Sequence, residues 1–148
     1  RRLAHIYSKR RLLTLIFPRN APYSEDLPFN EQELSLHELG ITQSIVDIAE
    51  RTAREQGASR VISVTVEIGA LSGVIPASVE FCFSACNKGP LLEQSQLLIE
   101  TIPGKGRCPD CRRELEIDPF TFACPACGAF GLERLQGEEL RIKELEVD

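Results

Sequence analysis

Two Cys-x-x-Cys pairs, Cys108-Pro109-Asp110-Cys111 and Cys124-Pro125-Ala126-Cys127, stand twelve residues apart in the last third of the chain. Two residues between cysteines let both sulfurs approach one ion while backbone N–H groups turn toward them. Two such knuckles complete a tetrahedral four-sulfur shell with metal–sulfur bonds of about 2.3 Å. A closed shell of this kind leaves no position for a substrate, so the expected role is structural. The pattern predicts a zinc-ribbon-like module over residues 104–134, in which Leu115, Ile117, Phe120 and Phe122 form a short hairpin that brings the knuckles together. A segment this short cannot bury enough apolar surface to fold unaided, and metal binding supplies the difference. Zinc is the expected ion, although iron accepts the same four-sulfur geometry. A dithiol oxidoreductase needs only one such pair.

Six cysteines in a chain of 148 residues can also signal a secreted disulfide scaffold. Four of them in metal-type spacing point instead to a reducing compartment, and the cytoplasm is the expected location. The other two, Cys82 and Cys86, lie four residues apart beside Val79 and Phe83 and read as buried packing residues.

Around the cysteine module the apolar pattern predicts an α+β fold. Ile41, Ile45, Ile48 and Ala49 recur at three- and four-residue spacing, which gives a helix from His37 to about Ala58 with Gly57 as its C-cap. Val61 to Ile68 alternates as a half-buried strand, with Ile62, Val64, Val66 and Ile68 on one face. Pro76 opens a second helix that Gly89-Pro90 stops, and Gln96 to Ile102 is a second strand. In the tail, Leu140 and Ile142 keep one phase while Leu145 and Val147 keep the other. A bulge near Lys143-Glu144 reconciles them into a third strand. The expected architecture is two helices on a three-stranded sheet, built from residues 36–103 plus 135–148, with the metal module inserted before the last strand.

Residues 1–35 differ from the rest. The first 19 hold six basic residues and no acidic one, and Pro18, Pro22 and Pro28 interrupt the following stretch. No small-residue cleavage site follows the short apolar run Leu12 to Phe17. The expectation is a disordered extension, or sequence upstream of a true start at residue 36.

The net charge of -5 argues against nucleic-acid binding, which rests on clustered Lys and Arg. No apolar run approaches the roughly 20 residues that cross a bilayer. No nucleophile triad, phosphate-cradling glycine loop or paired-carboxylate site is present, so a non-catalytic protein is expected. A ribbon that binds nucleic acid or a transcription protein is the alternative, with Arg107, Arg112, Arg113 and Arg134 as a thin basic face.

The predicted first helix opens with Leu36-His37-Glu38-Leu39-Gly40-Ile41-Thr42-Gln43. With methionine in place of Leu36 this start resembles the HypA/HybF family of hydrogenase nickel-incorporation proteins. Further on, Val66-Glu67-Ile68-Gly69-Ala70-Leu71-Ser72, Phe81-Cys82-Phe83, the double Cys-x-x-Cys and the ending Leu140 to Val147 are similar to that family in the same order. The resemblance covers residues 36–148. It implies a nickel metallochaperone that serves the large subunit of a nickel–iron hydrogenase, and in some organisms urease, together with a GTPase of the same pathway. A homodimer is compatible with the sequence. The resemblance also implies the sites. Nickel would take the α-amino nitrogen of residue 36, the amides of His37 and Glu38 and the His37 ring, and zinc would take Cys108, Cys111, Cys124 and Cys127. Nickel(II) accepts a square-planar set of four nitrogens. Residues 36–148 hold 11 basic and 18 acidic residues, a balance that attracts cations.

Overall fold

A computed structural model describes residues 10–14 and 31–148; expectations for 1–9 and 15–30 lie outside the described residues. The elements are β1 (Arg11–Thr14), α1 (Glu31–Glu55), β2 (Val61–Gly69), α2 (Pro76–Cys86), β3 (Gln96–Ile102), β4 (Lys105–Arg107), β5 (Glu114–Glu116), β6 (Glu133–Gln136) and β7 (Leu140–Val147). They form a four-stranded sheet in the order β1-β7-β2-β3 and a three-stranded sheet in the order β5-β4-β6. The fold is α+β, as expected, and the second sheet is inserted between β3 and β7.

Local chemistry accounts for the boundaries. At the end of α1 the N–H of Gly57 donates to Arg54 O at 3.0 Å and that of Ala58 to Ala53 O at 2.9 Å, with Gly57 at φ 63. These are the two bonds of a Schellman cap. Pro76 occupies the first turn of α2, where a missing N–H costs nothing. β2 and β3 run parallel, joined through α2, whereas β2 and β7 are antiparallel. Lys143 is the extra residue of a bulge: Thr65 faces Glu144 and Val66 faces Ile142. The bulge lets Ile142, Leu145 and Val147 all point inward and all be buried.

The core lies between the helices and one face of the larger sheet. Ile41, Ile45, Ala49 and Ala53 of α1 and Val79 and Phe83 of α2 meet Val64, Val66, Ile68, Ile142, Leu145 and Val147. Fully burying a side chain of the Val/Leu/Ile class stabilises by about 1.5–3 kcal/mol. An exposed ion pair contributes about 0–1 kcal/mol. The helix-covered face therefore holds the fold, and the charged pairs on the other face act as its cover.

That cover corrects the reading of β2 as half-buried. Ser63, Thr65 and Glu67 are buried as well, because β2 is central and its neighbours fold long polar chains across it. Arg141 Nε donates to Glu67 Oε2 at 2.5 Å, and Lys143 Nζ to Glu100 Oε2 at 2.8 Å. A register shift at Ile62 also puts Val61, rather than Ile62, into the core.

Two further differences concern the first 36 residues. Arg11–Thr14 is not structureless but a fourth strand beside β7, where Leu13 lies opposite Leu145 and packs against the core edge. The first helix begins at Glu31 rather than His37. Residues 31–36 contain neither proline nor glycine, and nothing in their composition stops a helix from extending upstream. No described helix is long and apolar enough to cross a membrane.

Candidate metal centre

The three short strands β4, β5 and β6 form a platform from which both knuckles project. The knuckles are built alike. In one, Cys108 N–H donates to Arg113 O at 2.9 Å and Arg112 N–H to Cys108 O at 3.1 Å. In the other, Cys124 N–H donates to Ala129 O at 2.8 Å and Gly128 N–H to Cys124 O at 2.7 Å. The residue after each second cysteine takes the left-handed conformation, Arg112 at φ 61 and Gly128 at φ 79. A sequence reading finds Gly128 easily, but Arg112 hides the same turn behind a residue that rarely adopts it.

The four sulfurs lie within 4.8 Å of one another. Cys108 Sγ is 3.5 Å from Cys127 Sγ, and Cys111 Sγ is 3.7 Å from Cys124 Sγ. A tetrahedral zinc with bonds of about 2.3 Å requires sulfur separations of about 3.8 Å. The two short separations fit a tetrahedral zinc shell. Cys108 and Cys124 are buried and Cys127 is exposed, so one edge of the shell meets solvent.

The thiols are electrostatically unequal. The amide of Cys111, with help from that of Asp110 and the Cys127 thiol, draws Cys108 down to about 7. For Cys127 the Ala129 amide pulls downward, but the hydrogen bond to Cys108, burial and the other two thiols outweigh it and push the group up to about 11. Zinc must displace the proton of every thiol that still carries one. Below about pH 7 Cys108 also carries a proton that zinc must displace, so uptake there releases about one proton more than it does above that pH. Zinc affinity is thus expected to rise with pH throughout and to fall more steeply below pH 7. Competition against a chromophoric chelator from about pH 6 to 8.5 reads this break. A slope with no break near pH 7 would show that Cys108 is not the first thiolate.

Around the shell the structure departs from the expected hairpin. Ile117 is buried at 6% exposure, but Phe120 and Phe122 are 80% and 69% exposed. The strand after the first knuckle pairs with β4, not with the chain leading to the second knuckle. Residues 118–121 make a tight turn on Asp118, whose Oδ1 accepts from Phe120 N–H and Thr121 Oγ1, each at 2.8 Å. Two of the four arginines of the thin basic face are also paired with acidic groups. Arg107 pairs with Glu114 at 2.8 Å and Glu133 at 3.7 Å, and Arg134 with Glu138 at 2.6 Å.

The module is rooted through backbone. Leu71 N–H donates to Gly137 O at 2.7 Å, Gly69 N–H to Glu139 O at 2.7 Å, and Ala70 N–H to Ile102 O at 2.9 Å. A Cβ on Gly137, which sits at φ 112, would come within 2.7 Å of Gly104 Cα, and a Cβ on Gly69 would strike the Gly137 carbonyl. Sequence reasoning missed this three-glycine crossing. Its only signal was a glycine at each place where the chain leaves or re-enters the larger domain.

His37 lies on α1 with its side chain exposed, far along the sequence from the sulfur shell. Glu38, beside it, is 1% exposed, and its Oε1 accepts from Ile75 N–H at 3.3 Å, tying α1 to the start of α2. Burial, followed by the nearby Cys86 and Glu38, pushes the Cys82 thiol up, in keeping with a packing role. Because α1 begins at Glu31, the nitrogens of residues 36, 37 and 38 are peptide nitrogens inside a helix. Helical N–H groups are committed to carbonyls four residues earlier. A chelate that uses an amine and two of these nitrogens and the helix as it stands exclude one another.

A family model described as hydrogenase/urease nickel incorporation, metallochaperone, hypA matches residues 36–147. The chain belongs to the HypA family. HypA is a family of nickel metallochaperones for hydrogenase maturation, and the four-cysteine cluster fits the zinc site expected of this member. The hydrogenase maturation factor HypA of Geobacter metallireducens is 51% identical over 113 residues, 76% of this chain and all of the relative. That of Chlorobium luteolum is 40% identical over the same share of this chain and 97% of its own. The solution structure of the Ni metallochaperone HypA from Helicobacter pylori superposes with a TM-score of 0.55 at 21% identity, over 74% of this chain and 96% of that one. A second HypA solution structure gives 0.58 at 23% identity, over 76% and 97%. These two establish a shared fold.

Proposed function

We propose that this chain carries Ni(II) at His37, joined by the backbone amide of Glu38 where the start of α1 unwinds, and holds zinc in the Cys108, Cys111, Cys124 and Cys127 shell. The observation that carries the nickel reading is that the family match begins at residue 36, at the exposed His37, with residues 36–147 spanned throughout. In this reading 36–103 plus 135–148 form the nickel-binding unit, 104–134 form the zinc module, and 1–35 are an extension outside the family match. The chain is not an enzyme. It works in the cytoplasm and passes its ion to the large subunit of a nickel–iron hydrogenase together with a GTPase of the insertion pathway. Zinc stays as a structural resident while nickel is cargo, and a four-sulfur shell with no open position suits the first role and not the second. The exposed imidazole suits the second, because an ion that must leave needs ligands that solvent and a partner can reach.

Isothermal titration of Ni(II) into zinc-loaded protein tests the assignment. His37→Ala is expected to remove the specific nickel site and leave zinc stoichiometry unchanged. Undiminished nickel binding by that variant would overturn it.

A further inference from the structure

The outer edge of β7 is occupied by β1, a segment that lies outside the family match. Four features of the seat recognise four features of the segment. Backbone pairing runs from Arg11 opposite Val147 to Thr14 opposite Glu144. Leu13 lies opposite Leu145 and packs on the rim of the core. Arg11 Nη2 donates to Gln56 O at 3.0 Å, at the C-terminal end of α1, where carbonyls lack helical partners and the helix dipole favours a cation. Arg10 reaches Glu146 at 3.6 Å on the open face of the sheet.

We propose that this edge, with the C-terminal end of α1, is a strand-addition site for an extended segment in which two basic residues are followed, one position on, by an inward-facing aliphatic residue. The chain's own residues 10–14 fill it in cis, and a partner segment of the same chemistry fills it in trans. An edge strand presents unpaired N–H and C=O groups that template another strand, and peptide recognition by strand addition draws affinity from that backbone and specificity from alternate side chains. The charge pattern selects the occupant. A second copy's β7 would bring more carboxylates to an edge that already carries Glu144 and Glu146, whereas a basic segment meets Glu146 with the opposite charge of Arg10.

The cis strand is held lightly, by four residue pairs and exposed ion contacts. Its tether gives it a high effective concentration, so it excludes a free peptide until its own contacts are weakened. A fluorescein-labelled peptide of residues 8–16 is the probe, titrated by anisotropy into the full chain and into the full-length variants L13E and R10E/R11E. Both variants are expected to bind it at least tenfold more tightly than the parent. Amide exchange at Glu144 to Val147 should slow when peptide is added, and a peptide with both arginines reversed to glutamate should not bind. R10E/R11E changes only exposed side chains, so a folding defect in L13E leaves the test intact. Equal binding by parent and variants, no binding by R10E/R11E, or protection elsewhere than β7 would overturn the proposal.

Discussion

A chain shortened to begin at residue 36, with methionine there, is expected to bind one Ni(II) about a hundredfold more tightly than the 148-residue chain. The difference follows from α1. In the long chain the nitrogens of residues 36, 37 and 38 lie within a helix that starts at Glu31. Releasing three helical hydrogen bonds costs about 1 kcal/mol each. About 3 kcal/mol is about a hundredfold in affinity. The peptide nitrogen of residue 36 is also no substitute for a free amine, so the loss has a second source. Calorimetry on both forms reads the affinities. Absorption in the visible reads the geometry, because nickel bound by four nitrogens in a plane gives a stronger d–d band, at a different energy, than the weak bands of six-coordinate nickel. Equal affinities with the same spectrum would show that the helical nitrogens are not involved and that His37 binds nickel through its ring and other groups.

The second large effect lies in the zinc module. Cys124→Ser, or removal of zinc by a strong chelator, is expected to melt β4, β5 and β6 while α1, α2 and the larger sheet stay folded. The hydrophobic core includes no residue between Ile99 and Leu140, so the module takes no share in it. Within the module Ile117 is the one buried side chain of the Val/Leu/Ile/Phe class, joined by Cys108 and Cys124. Its burial is worth about 1.5–3 kcal/mol. A structural zinc contributes on the order of 10 kcal/mol. The ion therefore decides whether the strands exist. Residue-resolved amide signals for Lys105–Gln136 should collapse on metal removal while those of Val61–Gly69 remain dispersed. A single transition that removes both sets together would show instead that the module is part of one cooperative unit.

What could be read from the sequence was what depends on near neighbours. Gly57 as a cap, Pro76 as a first-turn residue, the limits of β3 and the bulge at Lys143 all follow from local periodicity and backbone preference, and the structure has each of them. The four-sulfur shell was legible for the same reason, since its ligands announce themselves by spacing. The rest depends on what the chain meets after folding. Glu67 looks like a solvated residue of an alternating strand until Arg141 closes over it. Phe120 and Phe122 look like a core until the first knuckle's strand pairs elsewhere. Glu38 looks like an exposed helix-start acid, and only the arrival of Ile75 explains why it is buried. Four residues at 11–14 carry too little pattern to be recognised as a strand without Leu145 opposite them.

The crossing of Gly69, Gly104 and Gly137 restricts how a chain like this can drift over generations. A methyl group on Gly137 meets the Cα of Gly104, and one on Gly69 meets the carbonyl of Gly137, so the obstacle is main chain in both cases. No change of rotamer in a neighbour can make room. Loops elsewhere can lengthen or vary one residue at a time, and the phenylalanines of the ribbon are free to change against solvent. The three glycines are bound to one another instead. Any descendant that keeps the ribbon on this domain inherits them as a set.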